Sequence, residues 1–140
     1  MLSKTSVHAL RAIAFLAALP PQSYAGAASI AKRIHAPANY LGKLLQTLCR
    51  HGVLFSQKGL GGGFQLAKDP RKISLLEVVE PIDHISQKPG CALGQDPCSD
   101  KNPCAVHERW KQVRQQFIHF LEETHVSDLT KKFHFPTKDP

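Results

Sequence analysis

Over the first fifty residues, apolar side chains recur at helical spacing. Val7, Leu10, Ala14 and Ala17 fall three to four positions apart, which predicts a first core helix. The Pro20-Pro21 pair breaks that pattern, and Ser23 is the expected cap of a short helix carrying Ala27, Ile30, Ala31 and Ile34. His35-Ala36 reads as a tight turn, and Pro37 suits the first turn of the next helix. Leu41, Leu44, Leu45 and Leu48 form one buried stripe on that helix until Gly52 ends it. Its opposite face holds Asn39, Tyr40, Lys43, Gln46 and Arg50. Two helices, a tight turn and a polar, basic face on the second suit a helix-turn-helix, or an ordinary helical hairpin with a solvated face.

The segment "GVLFSQKGLGGGFQLAKDP" then reads as strand 53–57, a turn through Gly59, Gly61, Gly62 and Gly63, and strand 64–67. A phosphate-binding nucleotide loop would need a helix to start directly after the glycines, whereas "FQLA" is short and extended. A hairpin after a helix-turn-helix is a wing, which would bring Lys58 and the backbone of Gly59, Gly61 and Gly62 close to a DNA sugar-phosphate chain. The chain turns over 68–72, and Ser74 caps a helix through Leu75, Leu76, Val78 and Val79 that Pro81 stops. Farther on, Val106, Trp110, Val113, Phe117, Phe120 and Leu121 recur at intervals of three and four. Such a stripe on a terminal helix needs cover, and the same helix of a second subunit, with the first helix, supplies it. The expected fold class is mainly α with a small β-hairpin wing and a long C-terminal dimerisation helix. Its segments are a winged helix-turn-helix over 1–81, a cysteine loop over 82–104, the dimerisation helix over 105–128 and a flexible tail over 129–140.

Composition narrows the function. With 140 residues the chain has the size of one domain, able to bury a core without staples. Its formal charge of +7 serves solubility at least, and favours a polyanionic partner. The start has some features of an export signal, with a basic end, an apolar run over 12–19 and small residues at Ala25, Gly26 and Ala27. The helical spacing within that run instead suits a core helix, and no stretch approaches the ~20 apolar residues of a membrane span. An exported disulfide protein would lack these first residues.

Chemistry concentrates in "GCALGQDPCSDKNPCAVH", residues 90–107, which holds three of the four cysteines. The six- and five-residue gaps between Cys91, Cys98 and Cys104 are a poor match to the close pairs of structural zinc, without excluding it. An odd number of thiols cannot all pair in disulfides, and a reducing cytoplasm would keep them free. An incomplete thiolate set suits an iron-sulfur cluster with one nitrogen or oxygen ligand. Asn102 is a fitting cap and Pro103 a fitting first helical residue, which would put Cys104 at a helix N-terminus with His107 one turn on and within reach of the same metal. Cys49, between Leu48 and Arg50, reads as a small buried apolar residue. No Cys-His-acid set argues for a thiol enzyme.

Taken together, the opening "MLSKTSVHALRAIAFLA", the block "ANYLGKLLQTLCRHGVLFSQKGLGGGFQLAKDPRKISLLEVVE" and the three-cysteine loop before a long helix resemble the bacterial IscR and NsrR family of winged-helix transcription regulators. The resemblance runs over nearly the whole chain. It implies a cytoplasmic, non-enzymatic homodimer that binds a double-stranded DNA operator, has no membrane partner and can engage RNA polymerase. It also implies a two-iron or four-iron cluster that senses iron-sulfur status, nitric oxide or redox state. Cys91, Cys98 and Cys104 match the cluster cysteines, and His107 the histidine ligand. His8 stands where relatives place an acidic residue that reaches the partner subunit's cluster, which makes it a rival fourth ligand. Gly42 falls where one branch has a base-reading glutamate, implying a different operator or looser discrimination. The alternative is a zinc-stabilised or metal-free winged-helix regulator without redox sensing.

Overall fold

A computed structural model of the chain describes residues 2–87, 91–94, 99–135 and 137–140. Its centre is α1 (Lys4–Ala17), whose first turn is capped by the Ser3 hydroxyl accepting from the Ser6 N–H. Ala9, Ala12 and Ile13 on α1 have no exposed surface, so the apolar run that resembles an export signal is the middle of the core. Against it pack Ile30 and Ile34 of α2 (Ala27–Ile34) and Leu41, Leu45 and Leu48 of α3 (Ala38–Arg50). Each such fully buried side chain contributes roughly 1.5–3 kcal/mol of transfer free energy.

α2 starts at Gly26, three residues after the expected Ser23 cap. The displacement has a long-range cause. Ala25 pairs with Phe64 of the wing through bonds of 3.0 Å and 2.8 Å, which holds the chain extended until it passes the bridge. His35, in the left-handed region at φ 58°, ends α2 and turns the chain into α3. Gly52, at φ 76°, then releases the chain into the wing, β1 (Leu54–Gln57) and β2 (Gly63–Leu66), paired antiparallel from Leu54↔Leu66 to Gln57↔Gly63.

A 3-10 turn (Pro70–Lys72) leads to α4 (Leu75–Asp83), opened by a capping box between Ser74 and Glu77. Burial pushes the Glu77 carboxyl up, but hydrogen bonds from the Lys68 ammonium and the Ser74 N–H outweigh it and hold the group below its usual range. Pro81 does not stop α4: the helix continues through it, and His84, left-handed at φ 50°, is the terminator.

The expected single helix over 105–128 is two, α5 (His107–Glu123) and α6 (Val126–Lys131), separated at Thr124 and His125. Ser74 bridges to His125, with Leu75 N–H donating to Thr124 O at 2.9 Å and Val126 N–H to Ile73 O at 2.9 Å, so the chain is pinned where the helix breaks. Leu121 and Val126 are fully buried in the same core as α1, and the expected boundary at 81 falls inside α4. α6 continues to Lys131, and Phe135 packs on the core beside Phe15 of α1.

Candidate nucleic-acid interface and metal centre

On α3, Asn39, Lys43, Gln46 and Arg50 are all exposed and succeed one another at i, i+4, i+7 and i+11, a single stripe opposite the leucines. Together with Thr47, Ala28 and Phe64 they line a cleft between the start of α2, α3 and the wing. Arg50 Nη2 donates to Thr47 Oγ1 at 2.9 Å, and that hydroxyl donates to Lys43 O at 3.1 Å, so the C-terminal half of the stripe is held in place. Thr47 was not expected, although its position four residues after Lys43 is a usable signal. A Cβ at Gly42 would meet only Ala27 Cβ at 3.8 Å, so helix packing does not demand the glycine, and the cleft floor is low there for lack of a side chain.

Tyr40 does not belong to this stripe. Its hydroxyl lies 3.1 Å from His8 Nδ1, and its half-buried ring packs against the core. The expectation that it reads the groove is therefore corrected: Tyr40 shares its side of α3 with Leu44, four residues on, and faces α1.

At the wing tip Lys58 and Leu60 are exposed, and Gly59 and Gly61 take φ of 96° and 76° that only glycine adopts cheaply. Gly62 has a different role. A Cβ there would stand 2.2 Å from Gln57 O, so the hairpin's own closure, rather than an outside partner, requires that glycine.

Cys91, Cys104 and Cys49 are half-buried, and Cys98 lies outside the described residues. Cys91 Sγ accepts from Leu93 N–H at 3.4 Å. Cys104 is not on a helix, because α5 opens at His107 instead of Pro103; the Cys104 carbonyl accepts the His107 N–H at 3.1 Å and leads the chain into that first turn. The His107 ring is 6% exposed, with Nε2 2.9 Å from Asp100 Oδ1, an oxygen that Lys111 also reaches at 2.9 Å. The bonds from His107 and then Lys111 hold the Asp100 carboxyl below its usual range. Asp100, His107 and Glu108 thus bring three donor atoms within 4.8 Å of one another. Neither acid has a periodicity that would have marked it. On Cys49, burial pushes the thiol up, against weaker opposition from Ser56 and Arg50, which favours a protonated core residue over a ligand.

The rival ligand His8 lies in the core of its own chain. It is 1% exposed, and both ring nitrogens are engaged inside its own chain, Nδ1 with Tyr40 and Nε2 with Asp139 Oδ1 at 2.9 Å.

Helix, turn, recognition helix and glycine-tipped hairpin in this order define a winged helix-turn-helix regulator. The chain belongs to the Rrf2 family, described as iron-dependent transcriptional regulators, which it matches over residues 2–132. A protein of Aquifex aeolicus named as an HTH-type transcriptional regulator is 36% identical over 129 residues, covering 91% of this chain and 89% of the relative. Among solved structures, CymR of B. subtilis, titled the global cysteine regulator, superposes with a TM-score of 0.78 at 21% identity over 93% of this chain and 95% of its own. The IscR of T. potens does so at 0.74 and 21%, over 94% and 86%. The family and these relatives are regulators of transcription, not enzymes. No helix among the described residues is long and apolar enough to cross a membrane.

Proposed function

We propose that this chain is a homodimeric, cytoplasmic DNA-binding regulator whose operator affinity responds to an iron-sulfur cluster held by Cys91, Cys98, Cys104 and His107. The observation that carries the reading is the donor chemistry of the segment leading into α5: half-buried cysteines at positions 91 and 104, with the buried imidazole of His107 three residues beyond the second. Soft thiolates completed by one nitrogen ligand fit such a cluster, which when bound supplies reversible redox and ligand-exchange chemistry. The family's description as iron-dependent supports the same choice. The Asp100, His107 and Glu108 trio, with its harder oxygen donors, favours zinc as the second reading.

On the DNA side, Asn39, Lys43 and Gln46 enter the major groove while Lys58, Gly59 and Gly61 approach the adjoining sugar-phosphate chain, with Gly62 closing the hairpin behind them. Two-fold symmetry then calls for a near-palindromic operator with half-sites roughly 34 Å apart. RNA polymerase is a further partner where the bound dimer activates. Metal occupancy can change DNA binding only through a difference in affinity between two arrangements of the dimer. The test is anaerobic purification with visible absorption and iron and sulfide assays. A coloured, iron- and sulfide-containing protein is expected, and Cys98→Ala should lose the colour while keeping the helical dichroism. Colourless protein that stays iron-free after reconstitution, or equal operator affinity with and without the cluster, would refute the sensor; zinc in colourless protein would establish the second reading.

A further inference from the structure

The last described residues run back over α1. Phe135 stacks edge-on against Phe15 of α1 at 6.2 Å and Phe133 at 4.8 Å, and the Arg33 guanidinium at the end of α2 sits 4.5 Å over its ring. Lys138 O accepts from Arg11 Nη1 at 3.0 Å, and the Asp139 carboxylate takes Lys4 on one oxygen and His8 Nε2 on the other. An ionised carboxylate only accepts hydrogen bonds, so the proton of this pair rides on Nε2. The opposite nitrogen, Nδ1, meets the Tyr40 hydroxyl at 3.1 Å, with the two rings edge-on at 5.4 Å. Tyr40 lies in the first turn of α3, next to Asn39 and one turn before Lys43.

We infer that Asp139 and His8 are positioning residues for the recognition helix. The carboxylate orients the imidazole, the imidazole holds the Tyr40 hydroxyl, and Tyr40 fixes the first turn of α3 against α1. The 1% exposure of His8 makes the linkage stiff, because a buried ring with both nitrogens bonded has one orientation that satisfies it. A segment remote in sequence thereby sets the angle at which Asn39 and Lys43 are presented. The inference rests on α3 being the reading helix.

Its sign separates it from simple electrostatics. Asp139→Asn removes one negative charge, adding a unit to the formal +7, and charge alone would tighten DNA binding. The relay requires weaker binding. The experiment uses the full chain and a duplex selected from random sequence by the unaltered protein, with affinities scaled to the folded fraction measured by dichroism. Asp139→Asn and Tyr40→Phe, which keeps the ring packing, should each weaken binding about fivefold, and the double variant should be no weaker than either single one. Lys43→Ala is measured alongside. Tighter or unchanged binding by Asp139→Asn, with Lys43→Ala still weakened, overturns the relay and leaves α3 as the reading helix. Unchanged binding in all variants overturns both, and additive losses in the double variant overturn the coupling through His8.

Discussion

Single residues in the wing separate two reasons for glycine that look alike in "GLGGG". At Gly59 a Cβ meets nothing within 4 Å, and the cost of alanine is the left-handed backbone alone, about 1 kcal/mol. At Gly62 the added carbon would collide with Gln57 O, a backbone atom of the paired strand that can move only if the hairpin opens. Gly62→Ala should therefore lower the unfolding free energy by roughly 1–3 kcal/mol, clearly more than Gly59→Ala, in urea denaturation followed by dichroism. Equal losses at the two positions would mean that the tip is shaped by turn conformation only. The glycine run was legible as a turn; which glycine the hairpin itself requires was not, because that depends on a strand partner five residues away.

Elements were legible wherever local periodicity decides them. The leucines of α3 set its buried face, and the same repeat assigns Lys43 and Gln46 to the exposed one, since they stand two residues after Leu41 and two before Leu48. Where long-range pairing decides, the pattern misleads: the Ala25–Phe64 bridge delays α2, and the Ser74–His125 bridge accompanies the split between α5 and α6. Tyr40 fell between the two cases, polar enough to be read as exposed yet one position from Leu41 on the buried stripe. In the candidate metal centre the cysteines and His107 could be singled out from residue type and spacing, whereas Asp100 is found only once the loop folds back on α5. For the reading face itself, Gln46→Ala should relax discrimination at one base step by about 1–3 kcal/mol, seen as a flattened preference in binding to single-base operator variants. Uniform weakening across all variants would place Gln46 on phosphate instead.

At the scale of the whole molecule, α5 has two apolar sides and one chain to cover them. Leu121 is sealed into the core, but Val106, Val113 and Phe120 are 36%, 47% and 53% exposed, seven residues apart, with half-buried Trp110 and Phe117 between them. Read in order, 106, 110, 113, 117 and 120 alternate gaps of four and three, the spacing of a seam that two helices bury together. The seam leaves the region that holds Cys104 and His107, so a second copy packed along it would lie near both cysteine loops and fix the separation of the two α3 helices. Phe120→Glu tests this without disturbing the monomer, because the side chain is more than half exposed and surface changes of that kind cost within about 0.5 kcal/mol. Sedimentation should show the unaltered chain as a dimer and the variant as a monomer with the same helical dichroism. Operator affinity should then drop by roughly a hundredfold, since each half-site must be held by a separate binding event. If the variant instead sediments and binds like the unaltered protein, the pairing of the two reading heads must be built on another surface.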